Sequence, residues 1–163
     1  MASFHMAITI RSARASDAGV IGELARQFAE YLRGLGDPTE FKLNAEAYLR
    51  DGFGDRPAFS GLVAEDGSKV VGYLLYHLGY DSDAASRNLH VVDLYVEQKA
   101  RRKKVGRALM TAAVEIAVEA GVEELVWSVY NRNGLAASFY EKLGAERITE
   151  VFFMKLRADA LKS

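Results

Sequence analysis

HVVDLYVEQKARRKKVGRALMTAAVEIAVEA, residues 90–120, divides into three parts. His90 to Val96 is an apolar, β-branched run of strand length. Six of the nine residues from Lys99 to Arg107 are cationic: Lys99, Arg101, Arg102, Lys103, Lys104 and Arg107. From there Val105, Leu109, Ala112, Ala113 and Ile116 fall at helical spacing. A strand is therefore predicted to deliver a basic loop to a helix N-terminus. The first-turn N–H groups of a helix have no helical acceptor, the dipole favours negative charge there, and the cations add to it. The composite reads as an anion site suited to phosphate. The loop alone fits a solvated charge patch or a nucleic-acid contact equally well.

Working outward, Ala7 to Ala13 alternates like a strand, and Ser16 and Asp17 are expected to cap a helix with the stripe Val20, Ile21, Leu24, Phe28 and Leu32. Gly34 to Pro38 ends that helix. A short helix is expected over Leu43 to Arg50. Strands over Ala58 to Glu65 and Lys69 to Tyr80 flank the Asp66-Gly67-Ser68 turn as a hairpin. Asp81 to Asn88 reads as a polar loop. Beyond the central helix, Gly121 marks a C-cap. A strand over Glu124 to Tyr130, a helix over Leu135 to Lys142 closed by Gly144, and a last strand over Glu150 to Leu156 follow. This order predicts an α/β fold: a mixed, mostly antiparallel twisted sheet with helices on both faces.

At 163 residues the chain is expected to form one domain over 1–163, with Met1 to His5 an added leader before a start at Met6. The net charge of −1 makes the basic run local and argues against a nucleic-acid binder. With no cysteine there is no disulfide, thiolate metal site or Cys nucleophile, and His5, His77 and His90 lack metal-ligand spacing, so no metal is expected. No apolar run approaches the ~20 residues of a membrane span and no signal-peptide pattern is present, so no membrane partner and a cytoplasmic location are expected.

Arg101-Arg102-Lys103-Lys104-Val105-Gly106-Arg107-Ala108 resembles the acetyl-CoA pyrophosphate loop of the GCN5-related N-acetyltransferases (GNAT), with Lys104 where that family usually has glycine. Asn133 to Tyr140, with Glu141-Lys142-Leu143-Gly144-Ala145, resembles its second signature. Leu49 to Pro57, Leu62 to Glu65, Val71-Gly72-Tyr73 and Tyr80-Asp81 resemble the diamine (spermidine/spermine) branch. The resemblance spans nearly the whole chain. It implies the GNAT acyl-CoA N-acyltransferase fold, acetyl-CoA as cosubstrate with CoA as product, a small primary amine (diamine, polyamine or lysine-like amino acid) as acceptor, and a homodimer.

Acetyl transfer from a thioester to an amine needs a held cosubstrate, a neutral amine, a donor to the oxyanion and a proton for the departing thiolate. Holding falls to the backbone N–H groups of Lys103, Lys104, Val105, Gly106 and Arg107, with Arg101 and Arg102 among the cations near the phosphates. The resemblance implies that the backbone of Leu94, Tyr95 and Val96 pairs with pantetheine as an added strand. It also implies that Tyr140 is the general acid; on spacing alone Tyr140 reads as a core residue beside Phe139. Asn133 is a helix cap, a cosubstrate contact, or both. Lysine strains at positive φ, so Lys104 is expected to be helical.

Asp93 is an acid inside an apolar strand, where it attracts a cationic amine, relays its proton, or makes a structural hydrogen bond. Alternation puts Asp93 and Tyr95 on one face, with His90, Val92, Leu94 and Val96 on the other. The diamine branch typically has glutamate before this aspartate; here Val92 stands there. Asp81, Asp83 and Glu150 are further candidates for negative charge in a substrate pocket, and His90 for a base. The alternatives to a small-molecule enzyme are an acetyltransferase for protein amines and a non-catalytic acyl-CoA-binding module.

Overall fold

The computed structural model describes residues 7–161, so the leader expected over Met1 to His5 lies outside the described residues. The chain divides into two compact units, one ending at Asn133 and one beginning at Gly134.

In the first unit the elements are β1 (Ile8–Ser12), α1 (Ala18–Gly34), α2 (Ala45–Gly52), β2 (Ser60–Asp66), β3 (Lys69–Asp81), β4 (Ser86–Val96), α3 (Val105–Glu119) and β5 (Leu125–Val126). They build a five-stranded sheet in the order β1-β2-β3-β4-β5. Its first four strands are antiparallel, and β5 joins β4 in parallel. The mixed, mostly antiparallel sheet is the one expected.

Residues opposite one another across a ladder share a face. Val63, Tyr73 and Tyr95 form such a row, and with Leu75 they pack against Ile21 and Leu24 of α1 and Tyr48 of α2. Gly22 lets α1 and α2 approach closely, since a Cβ there would lie 2.9 Å from the Ala45 nitrogen. The alternate row, Leu62, Leu74 and Leu94, faces the other way. There α3 lies across β1 to β4, and Val105, Leu109, Ala113 and Ala117, one helical turn apart, are fully buried. Removing such a side chain, as in Leu109→Ala, costs on the order of 2–5 kcal/mol.

Several expectations change. Asp17 begins α1 but caps nothing in it. Its carboxylate turns back, accepting from the Arg14 N–H at 2.7 Å and from both terminal nitrogens of Arg11 at 2.8 and 2.9 Å. A bidentate charge pair outweighs a neutral cap. The helix expected from Leu43 begins at Ala45, because Asn44 caps it by accepting from the Ala47 N–H at 2.8 Å. Half of the expected loop 81–88 is strand: β3 and β4 pair out to Asp81 and Ser86, leaving only the four residues 82–85 as a turn. The strand expected over Glu124 to Tyr130 shrinks to Leu125–Val126.

The second unit contains α4 (Gly134–Lys142) and a 3₁₀ turn, Ala158–Leu161. Gly144, at φ +97°, closes α4 as expected. The last strand expected over Glu150 to Leu156 does not form: Phe152, Phe153 and Met154 are 82–88% exposed and join no ladder. The run of β-branched and aromatic residues from Val151 to Phe153 supplies strand propensity, but a strand exists only where a neighbour accepts its hydrogen bonds.

Candidate active site

Strand β4 carries the candidate chemistry, and a bulge shapes it. Across β3, Leu75 faces Asp93 but the next residue, Tyr76, faces Val91. Val92 is therefore an inserted residue, 43% exposed, with no partner opposite. An inserted residue changes which side chains share a face. Asp93 and Tyr95 stay together as expected. His90, opposite His77, now lies on their side of the sheet, where alternation had put it on the other. On its other edge β4 meets β5 only at Leu89 and His90. Among the described residues no strand pairs with that edge from Val91 to Val96, so Leu94 and Tyr95 offer main-chain groups to an extended ligand, as β-augmentation requires.

The basic loop follows. Gln98–Lys103 is a 3₁₀ turn, and Lys104 then takes φ +60° and ψ +21° before α3 begins. The helical conformation expected of Lys104 is thus wrong: it adopts the left-handed geometry that glycine would take. A right-handed turn followed by one left-handed residue makes successive N–H groups converge on a concavity that binds anions. No side chain caps α3, so the amides of Val105, Gly106 and Arg107 keep their outward donors.

The cations divide by task. Arg101 turns inward: its Nε donates to the Val96 carbonyl at 3.1 Å, and its guanidinium sits 4.8 Å over the Tyr31 ring and 5.5 Å over Tyr95. It holds the loop to β4. Lys103 pairs with Asp66 in the β2–β3 hairpin. Arg102, Lys104 and Arg107 are exposed around the helix start.

Asp93 retains partly accessible outer atoms, yet its surroundings are tight enough that burial pushes its carboxyl up to about 7. One rung away is Tyr73, fully buried, its hydroxyl raised well above the ordinary value by burial and then by Asp93. Tyr73 Oη and His90 Nδ1 are buried without a hydrogen-bond partner among the described residues. Burial, and then His77, hold His90 below its ordinary value. The site face therefore carries a carboxyl that titrates near neutrality between two buried polar groups.

Of the other candidates, the Asp81 carboxylate accepts from the Asp83 and Ala84 N–H groups and is engaged in its own turn. Glu150 accepts from the Thr149 N–H in the second unit. Buried Asn133 accepts from the Tyr31 hydroxyl at 2.9 Å. Tyr140 lies on α4, its ring 5.1 Å from that of Phe139.

Residues 21–145 match the model of the acetyltransferase (GNAT) family. The chain belongs to the GNAT family of N-acetyltransferases. This acetyltransferase is 36% identical over 151 residues to a thialysine N-epsilon-acetyltransferase of Bos taurus, covering 88% of this chain and 86% of that protein. It is 31% identical to the human spermidine/spermine N(1)-acetyltransferase-like protein 1, over 83% of this chain and 20% of that one. Among solved structures, an integron cassette protein of V. cholerae has the same fold, with a TM-score of 0.79 over 96% of both chains at 22% identity.

Sequence reasoning missed two residues of this acetyltransferase, Tyr73 and Tyr31. A tyrosine inside the run Val70 to Leu75 is a visible anomaly, but only the β3–β4 register places it beside Asp93. Tyr31 joins α1 to both Arg101 and Asn133, and nothing local signals that.

Proposed function

We propose that this protein transfers an acetyl group from acetyl-CoA to the primary amine of a small molecule of the lysine, thialysine or diamine type, by direct attack in a ternary complex. The observation that carries the reading is Asp93, a carboxyl near 7 on the face beside the open edge of β4. A base of that strength suits work at neutral pH. The relatives named for thialysine and spermidine/spermine support this substrate class.

Acetyl-CoA supplies an activated acetyl thioester. The open edge of β4 at Leu94, Tyr95 and Val96 fits an extended pantetheine. The converging amides of Lys103 to Arg107, with exposed Arg102, Lys104 and Arg107, fit its phosphates. Arg101 keeps the loop in register with the strand. An alkylammonium has a pKa near ~10.4 and does not attack until it loses a proton. The Asp93 carboxylate holds the cation and takes that proton. As nitrogen bonds to the acetyl carbon and the carbon–sulfur bond breaks, Tyr140 Oη donates a proton to the departing sulfur, a role that rests on its motif; Asn133 contributes at the cosubstrate. Val92 leaves the site less acidic than a neighbouring glutamate would, which favours an amine with fewer charges than spermine.

The family match runs across both units, which supports one acetyltransferase domain. No described helix is long and apolar enough to cross a membrane. A cytoplasmic homodimer is the form proposed; exposed Leu78 and Tyr80 at the end of β3 suit an isologous contact. The deciding experiment is thiol release from acetyl-CoA with thialysine, lysine, putrescine, spermidine, spermine and a peptide amine. Turnover is expected to be greatest with the lysine-like amines or the short diamine. Tight acetyl-CoA binding without turnover of any amine overturns the reading.

A further inference from the structure

We propose that Tyr73 is a positioning residue for Asp93: its buried hydroxyl donates, through one buried water, to the inner oxygen of the Asp93 carboxylate and so fixes the outer oxygen toward the site. The inference rests on the reading of the chain as an amine acetyltransferase and assigns the residue that supports its base.

The register of β3 against β4 carries the argument first. Tyr73 stands opposite Tyr95, and Leu75 stands opposite Asp93. Tyr73 and Asp93 are therefore diagonal neighbours on one face of the sheet. Such neighbours lie ~7–8 Å apart along their backbones, a gap that a long side chain and one bridging water span.

The second observation is the state of Tyr73. Its side chain is fully buried, and its Oη has no hydrogen-bond partner among the described residues. A buried hydroxyl left unpaired is costly, and buried waters settle where polar groups of this kind converge. The surrounding core leaves one polar side chain to share that water. Ile21, Leu24, Val63 and Leu75 offer nothing. The Tyr48 hydroxyl already donates to the Arg14 carbonyl at 2.9 Å, and Tyr95 is engaged by Arg101. Asp93 remains, and after burial it is the strongest influence on the Tyr73 hydroxyl.

The third is Asp93 itself. Its outer atoms stay partly accessible while the rest of the carboxyl sits in tight surroundings, so it has a wet side and a dry side. Burial is the influence acting on it, and nothing charged offsets that burial. Tyr95 flanks it on β4 and Tyr73 faces it from β3, with His77 and His90 farther along the same face. Tyr48 comes from α2, and Glu30, Tyr31 and Arg101 lie at the Tyr95 end. A carboxylate without a donor on its dry side turns freely and ionises reluctantly. A hydroxyl acting there through water corrects both, because it holds one rotamer and favours the charged form.

The test is Tyr73→Phe, which removes one oxygen and keeps the ring, so the core stays filled. Asp93 is then expected to hold its proton to a pH about one unit higher. The acidic limb of kcat/KM for the amine should move up by that amount, with the KM for acetyl-CoA unchanged. The loss is expected to be about tenfold on the acidic side of the limb and to close at alkaline pH, where both carboxyls are ionised. In Asp93→Asn the same substitution should cost nothing further, because its partner is gone. An unshifted limb, an equal loss at every pH, or a further loss of about tenfold in Asp93→Asn overturns the assignment. A second readout needs no turnover: the carboxyl-carbon NMR signal of Asp93, identified by its disappearance in Asp93→Asn, should titrate about one unit higher in Tyr73→Phe. An unmoved midpoint also overturns the assignment. Absence of turnover in wild type with every amine sinks the amine reading instead, while the carboxyl titration still decides the role of Tyr73.

Discussion

At the scale of single residues, two positions hold conformations or charges that a stability-driven design would avoid. Lys104 sits at φ +60°, where an L-residue with a Cβ loses on the order of 1–2 kcal/mol. Lys104→Gly removes that strain but frees the unfolded chain by about 0.4–1 kcal/mol. Strain is the larger effect, so urea unfolding should show the variant more stable by about 0.5 kcal/mol. Asp93 is the second. Its folded carboxyl is raised to about 7, above the unfolded value near ~3.9. The folded state therefore binds the extra proton between those values, and this residue's contribution falls as pH rises through that window. Allowing for the solvent its outer atoms see, Asp93→Asn should be more stable than wild type by on the order of 2 kcal/mol at pH 8, with the gap closing near pH 4. The same variant should lose activity. A flat stability difference across pH would show that Asp93 titrates as an ordinary surface acid.

The element that matters is the loop and first turn of α3. Its cations are not equivalent, because Arg101 is committed to β4 and Lys103 to Asp66. Arg102→Gln with Arg107→Gln should therefore test phosphate binding without loosening the loop. Calorimetric titration with acetyl-CoA is expected to show about a tenfold loss of affinity at low salt and a smaller one at high salt, since exposed charges are screened. Arg101→Gln should instead lower the melting temperature, through the lost Val96 bond and ring contacts. Unchanged affinity in the double variant would leave the backbone amides as the whole anion site.

At the scale of the molecule, the first unit is tied together at its start by Arg11. That side chain bonds Asp17 at two points and Glu65 of β2 at 2.8 Å, linking β1, the entry to α1 and the sheet. Arg11 holds the Asp17 carboxyl below its ordinary range. A depressed carboxyl contributes stability above its unfolded value near ~3.9 that is lost as pH falls through the folded one. Asp17→Asn is expected to cost about 2–3 kcal/mol at pH 7, because it leaves a largely buried guanidinium without its bidentate anion and with Glu65 alone. Acid unfolding monitored by circular dichroism should show the variant and wild type converging as the pH falls through the depressed folded value.

The stretch from His90 to Ala120 declared a strand, a basic turn and an amphipathic helix, since β-branched runs, cation clusters and helical spacing are local properties. The motif residues around it were legible enough to name the family. Its helices were legible to within a residue or two. What the sequence left undecided were features with partners far along the chain. The strand expected at Glu150 to Leu156 had propensity but no ladder. Lys104 was read from its own preference, yet its backbone is set by the passage from the turn at Gln98–Lys103 into α3. The face of His90 depended on a bulge that exists only because β3 pairs with β4 in one particular register. Composition and spacing alone determined the elements and the family; which polar groups of β4 meet on one face was decided by strand pairing, because a single inserted residue reverses the alternation on which every sequence reading of a strand rests.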